Sequence, residues 1–185
     1  MAGCAHSGET DATRPIPGDI TVALAGNPNT GKSSIFNSLT GSSQHVGNWP
    51  GKTVSRAYGS FDHGQTTVQI VDLPGTYSLN ASSPEEMIAR DYLISGQPDA
   101  VAIVVDASNL ERNLYLAVQI LEIGVPSLVV LNMVDVVESQ GTKVDVDALS
   151  ERLGVTVVPT VARKRQGLDV LRGALIDVAS LEPAS

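Results

Sequence analysis

Apolar residues are arranged along the chain in two alternating rhythms. Short runs rich in Val, Ile and Leu lie at Ile20–Ala25, Thr53–Phe61, Thr66–Val71, Ala100–Val105, Ser127–Leu131 and Thr156–Pro159. Their length and β-branched content are those of strands. Helix-period segments separate most of them, the βαβ pattern of a mainly parallel sheet. The expected fold class is therefore α/β, a six-stranded mixed sheet with helices on both faces. The polar turn Asp62-His63-Gly64-Gln65 predicts that the second and third strands form an antiparallel hairpin at the sheet edge.

Several helices announce their ends. Ser83-Pro84-Glu85-Glu86 supplies a capping serine, a proline in the first helical position and a glutamate at the third. Ser108-Asn109-Leu110-Glu111 repeats the capping pattern, and Leu110, Leu114, Val118 and Leu121 then recur on one face as far as Gly124. Leu168, Leu171, Leu175 and Val178 mark a last helix, and Asp145 to Gly154 a shorter one.

Composition narrows the function classes. With 185 residues the chain suits one domain, and its formal net charge of −8 would repel a nucleic-acid backbone over most of the surface. No apolar run approaches the roughly 20 residues of a spanning helix. Cys4 is the only cysteine, which excludes an internal disulfide and suits a reducing compartment. Residues 1–18 are small, polar or Pro/Gly and read as a disordered tail, 19–181 as the folded domain and 182–185 as a second tail.

Directly after the first strand, Gly26-Asn27-Pro28-Asn29-Thr30-Gly31-Lys32-Ser33 matches G-x-x-x-x-G-K-S and leads into a helix around Ile35–Leu39. Glycines allow the backbone to curl into a nest of N–H groups around a β-phosphate. The helix N-terminus adds positive potential, Lys32 reaches the β- and γ-phosphates, and Ser33 offers Mg²⁺ an oxygen. ATPases, kinases and GTPases share this loop. Asp72-Leu73-Pro74-Gly75, after the third strand, supplies an aspartate for the water shell of Mg²⁺ and a glycine N–H for a γ-phosphate. Asn132-Met133-Val134-Asp135, after the fifth, supplies a carboxylate. Guanine presents N1–H and N2 donors to such a group, whereas adenine would leave it unpaired. Either motif alone is also a common turn or helix cap; their order and spacing behind the phosphate loop carry the reading.

Together the motifs resemble P-loop NTPases of the Ras-like GTPase type. Val46-Gly47-Asn48-Trp49-Pro50-Gly51, Asp72-Leu73-Pro74-Gly75-Thr76-Tyr77-Ser78-Leu79, the run from Asp106 to Leu116 and the methionine after Asn132 narrow the resemblance to the cytosolic N-terminal G domains of the bacterial ferrous-iron transport protein B (FeoB) family, over about Asp19 to Ala179. The resemblance implies a GTPase using GTP/GDP, Mg²⁺ and K⁺. It implies contacts to nucleotide from Asn29, Thr30, Gly31, Lys32, Ser33, Ser34, Asn132, Met133, Asp135, Val161, Ala162 and Arg163, with the backbone N–H of Ala162 meeting guanine O6. Lys32, Asn29, Thr53 and Gly75 would act at the transferred phosphate. Ser33, Thr53 and Asp72 would hold Mg²⁺, and Asn29 with the carbonyls of Gly47 and Trp49 would hold K⁺ in the activated state. It further implies work on the cytoplasmic side of a bacterial inner membrane with a transport domain, in the same or a partner chain, and oligomers formed through that transporter.

Two departures stand out. Val161-Ala162-Arg163-Lys164 lacks the serine that the family usually places before its alanine, so a hydroxyl able to brace the loop is expected to be missing and guanine affinity to be low. Thr76 stands where Ras-type enzymes place a water-orienting glutamine, a feature the FeoB family shares, which predicts slow unaided hydrolysis. Trp49 reads equally as an anchor for a switch loop or as an exposed partner contact. Arg112 reads as a solvated or salt-bridged helix residue rather than an arginine finger, Cys4 with His6 as no metal site, and Asp145, Asp147 and Glu151 as a solvated face. A slow nucleotide-gated docking module stays open beside the enzyme, and the phosphate loop alone keeps an ATPase or kinase open.

Overall fold

The computed structural model describes residues 18–181 except 42 and 81. The expected tails, Cys4 and His6 lie outside the described residues, Gly18 apart.

The chain runs β1 (Ile20–Gly26), α1 (Lys32–Thr40), β2 (Gln44–Asn48), β3 (Ser55–His63), β4 (Thr66–Asp72), α2 (Pro84–Ile94), β5 (Ala100–Asp106), α3 (Leu110–Leu121), β6 (Ser127–Asn132), α4 (Val134–Ser139), α5 (Val146–Leu153), β7 (Val157–Pro159) and α6 (Leu168–Ala179). One seven-stranded sheet has the order β2-β3-β4-β1-β5-β6-β7. The pairs β2–β3 and β3–β4 are antiparallel and the others parallel. The fold class is the expected one, with a strand more than the six read from the pattern.

The central strands β5 and β6 are buried at every position, as parallel strands covered on both faces must be. Side chains alternate between two cores. Val101, Ile103 and Val105 of β5 meet α2 and α3, while Ala100, Ala102 and Val104 meet α1 and α6. At β1 the strand order reverses, with β4 on one side and β5 on the other, and ligands of open α/β sheets bind beyond the strand ends at such a point.

Four local readings change. The added strand β2 makes the β3–β4 hairpin internal, and β3 begins at Ser55 rather than Thr53 and continues to His63. At Ser83 the serine cap forms, its hydroxyl accepting from Glu86 N–H at 3.2 Å, while the Glu86 carboxylate accepts from Ser82 N–H and Ser78 Oγ rather than closing the box. The one at Ser108 does not: Asp106 takes that role, its carboxylate accepting from Ser108 N–H and Oγ and from Asn109 Nδ2. On α3 the fully buried stripe is Asn113, Leu116, Ala117 and Ile120, and the Leu110–Leu121 series flanks it with Val118 42% exposed. Asn113 belongs inside because its Oδ1 accepts the Asp106 N–H at 3.1 Å.

On α6, Leu168, Leu171, Leu175 and Val178 are all buried as read. Leu175→Ala is expected to lower the unfolding free energy by about 2–5 kcal/mol in a urea titration, and Val170→Ala, 67% exposed on the same helix, by less than about 0.5 kcal/mol.

Candidate nucleotide-binding site

The phosphate loop bends sharply between β1 and α1. Asn29 takes up left-handed φ of 68° without glycine, which a short polar side chain tolerates. Thr30, 1% exposed, turns its Oγ1 back to the Asn27 carbonyl at 2.9 Å, so its side chain shapes the loop from within. At Gly31, φ is 83°, and a Cβ there would lie 2.2 Å from Asn132 Nδ2. A side chain is therefore excluded twice over.

Asn132, at the end of β6, spends its whole amide on neighbouring loops. Nδ2 donates to the Thr30 carbonyl at 3.0 Å, and Oδ1 accepts from Ala162 N–H at 3.1 Å and Thr160 Oγ1 at 3.3 Å. The bracing hydroxyl missed from the loop is thus supplied by Thr160, one residue before Val161. In this conformation the Ala162 N–H points at Asn132. Met133 is left-handed at φ 63° and starts α4, which turns Asp135 toward the same loop.

Lys32 and Asp72 form an ion pair with side chains only 10% and 17% exposed. Burial pushes the Asp72 carboxyl above its ordinary range, and the Lys32 ammonium only partly offsets this. Asp135 behaves in the opposite way. Its Oδ2 meets Lys164 Nζ at 2.9 Å, and this contact above all, with help from Arg163, holds its carboxyl below the usual range. Its Oδ1 is shut off from solvent and has no partner among the described residues.

Two adjoining hollows result. One, of about 490 Å³, is lined by Asn27, Pro28, Asn29, Gly31, Lys32, Ser33, Ser34, Gly75 and Met133. The other, of about 180 Å³, is lined by Gly31, Ser34, Asn132, Met133, Asp135, Val161, Ala162 and Arg163. They share Gly31, Ser34 and Met133. Asn27, Pro28, Thr160 and Lys164 were absent from the sequence-based set; the first two stand inside the loop motif, and the last two adjoin the base loop.

Thr53, Gly47 and Trp49 line neither hollow. Thr53 is exposed just before β3; Gly47 pairs with Arg56 across the β2–β3 ladder; the Trp49 carbonyl accepts Lys52 N–H at 2.9 Å. The structure does not bring them to Asn29 or Ser33. Trp49 itself is 7% exposed, which selects the anchor reading. Arg112 is exposed and makes no ion pair among the described residues, its guanidinium lying 4.4 Å from the Tyr77 ring centroid.

A family model described as ferrous iron transport protein B matches residues 20–175. The chain belongs to that family. The FeoB transporter of Salmonella typhimurium is 52% identical over 160 residues, covering 84% of this chain, and that of Escherichia coli K12 is 51% identical over the same length. The chain spans about a fifth of the length of these curated relatives, 21%. Among solved structures, a GDP-bound mutant of S. thermophilus NFeoB superposes with a TM-score of 0.82 at 51% identity, covering 87% of this chain and 63% of that one. The FeoB G-domain of Methanococcus jannaschii gives 0.78 at 45% identity, covering 88% of this chain and 98% of that one. The chain is thus an N-terminal FeoB G domain, with the P-loop GTPase fold read from its sequence.

A carboxyl whose native pKa is depressed stabilises the fold above its ordinary value and loses that contribution as pH falls through the native value. Lys164→Ala is therefore expected to move the Asp135 titration upward, toward the ordinary carboxylate range, in a ¹³C carboxyl NMR titration. An unmoved midpoint would contradict the pairing.

Proposed function

We propose that this domain binds GTP and GDP with Mg²⁺, hydrolyses GTP to GDP and phosphate, and thereby regulates or drives ferrous-iron transport by a membrane domain. The observation that carries the reading is Asp135, which lines a hollow continuous with the phosphate loop and whose Oδ1 has no hydrogen-bond partner among the described residues. An unmet buried acceptor is costly, and guanine's N1–H and N2 amino group are the donors that satisfy it. Adenine offers no such pair of donors, which weighs against an ATPase or kinase.

The phosphate end fits as well. Lys32, now held by Asp72, is the ammonium that β- and γ-phosphates would draw into the larger hollow, and Ser33 stands exposed at its wall. Asp72, freed of that lysine, is then the carboxylate for a water of Mg²⁺. Among the described residues no group of three or more His, Cys, Asp or Glu could hold a metal by itself. That suits Mg²⁺, which keeps waters and borrows phosphate oxygens. Bound there, Mg²⁺ neutralises the charge of the triphosphate, and K⁺ beside Asn29 would stabilise charge that develops in the transition state. Gly75 offers its N–H at the γ-phosphate side of the same cleft. Thr53, Gly47 and Trp49 join the site only after the β2 segment moves.

Guanine O6 needs a donor too. The Ala162 N–H serves O6 when it is shared with, or released by, Asn132 Oδ1. Among the described residues no helix is long and apolar enough to cross a membrane, so transport itself falls to another part of the transporter, and work at the cytoplasmic side of a bacterial inner membrane belongs to the same proposal.

The slow docking module is favoured by one observation. Thr76 is 5% exposed and its N–H is tied to the Gly26 carbonyl at 3.3 Å, so it is poorly placed to orient water. Comparing turnover in potassium and sodium decides between the readings. Enzyme function predicts at least a tenfold stimulation by potassium that Asn29→Ala abolishes; no turnover in either salt favours docking.

Base selection is tested by calorimetric titration with GDP and with ADP, each with Mg²⁺. GDP is expected to bind and ADP to give no heat, while Asp135→Asn moves preference toward xanthine nucleotides. Tight ADP binding without GDP heat would overturn the assignment.

A further inference from the structure

β2 is the most exposed strand of the sheet, yet the segment it belongs to drops one large side chain into the core. Trp49 follows β2 directly and is 7% exposed; Arg56, on β3, is 8% exposed. The Arg56 guanidinium lies 4.7 Å from the Trp49 ring centroid, 5.8 Å from that of Tyr58 and 5.9 Å from that of Tyr92. Trp49 meets Tyr92 of α2 edge-on, with centroids 5.2 Å apart. Among the described residues no carboxylate pairs with Arg56.

Two donors in this cluster, Arg56 Nε and Trp49 Nε1, are closed off from solvent and have no acceptor. Aromatic burial and the cation on the ring faces favour the closed arrangement. The unmet donors oppose it, and opening would hand both to water. The two effects oppose each other, and a ligand that prefers one arrangement can tip them.

Trp49 and Thr53 move together. Trp49 N–H donates to the Val54 carbonyl and its own carbonyl accepts Lys52 N–H, both at 2.9 Å, so one tight turn contains Thr53. Thr53 lies outside the cleft in this arrangement, in the same turn as the buried Trp49.

We propose that Trp49, Arg56 and Tyr92 form a releasable latch that holds the segment Gln44–Val54 in the arrangement described here, and that loading a nucleoside triphosphate with Mg²⁺ withdraws Trp49 from the rings. The latch rests on the guanine-nucleotide reading above. Arg56 and Tyr92 touch no nucleotide; they are positioning residues that set the balance between the two states.

Trp49 is the only tryptophan of the chain, so its fluorescence reports the latch directly. In the intact 185-residue protein, emission is expected to shift to the red when a non-hydrolysable GTP analogue with Mg²⁺ replaces GDP. Arg56→Gln and, independently, Tyr92→Leu are expected to shift emission to the red without nucleotide and to raise affinity for the analogue relative to GDP by about fivefold or more. Arg56→Lys, which keeps a cation over the rings, should stay near the original ratio. A variant merely loosened in its fold would weaken both nucleotides alike. A titration with a fluorescent GDP on the same samples separates the two readings. Absence of binding defeats the site assignment. Normal binding, with emission and affinity ratio unchanged in both variants, defeats the latch.

Discussion

A single amide side chain holds the site in shape. Asn132 joins the phosphate loop, through Thr30, to the base loop, through Ala162 and Thr160, and so links positions 102, 30 and 28 residues away. Both ends of the amide are used, and removing it would orphan several buried groups at once. The same contact explains Gly31, because a Cβ there would collide with Nδ2. The two hollows keep a fixed relation to each other, which lowers the ordering cost when one ligand fills both.

Around that brace, the groups with the strongest interest in a ligand are held in partial pairings. Lys32 and Asp72 neutralise each other, yet burial still pushes the Asp72 carboxyl up, so the pair is not at rest. Lys164 is 65% exposed, and its pairing with Asp135 satisfies one carboxylate oxygen at little net gain in stability. The other oxygen, Oδ1, is the costly one. A guanine edge would offer donors to Asp135 and a phosphate chain would offer acceptors to Lys32 at the same time.

Much of this was legible in the residues. Continuous Val/Ile/Leu runs gave the buried strands, because parallel strands covered on both faces need apolar side chains throughout. The phosphate loop and Asp135 were legible because phosphate and guanine recognition demand fixed chemistry at fixed spacing. β2 was not, since Gln44-His45-Val46-Gly47-Asn48 carries one apolar residue, itself 77% exposed, and is held by backbone hydrogen bonds that any sequence can make. The face of α3 was misread because that helix carries two apolar stripes, and only the Asn113 contact with the end of β5 shows which faces inward. Ser108 looked like a cap until Asp106, two residues earlier, outcompeted it. Thr160 and Arg56 act through partners 28 or more residues away or across a strand pair, and no local pattern records such contacts.

The sheet divides the labour by burial. β1, β5 and β6, buried almost throughout, carry the loops that would grip the nucleotide, and their rigidity preserves the geometry of recognition. β2, exposed along nearly its whole length, carries the segment that would have to move. If that segment were buried as deeply as β5, no nucleotide could supply the free energy to displace it. If it had no anchor in the core, its position would not depend on what the site holds. A few side chains around Trp49 place it between those limits, and under the latch proposal the strength of that small cluster would set how firmly the state of the pocket is transmitted to the edge of the sheet.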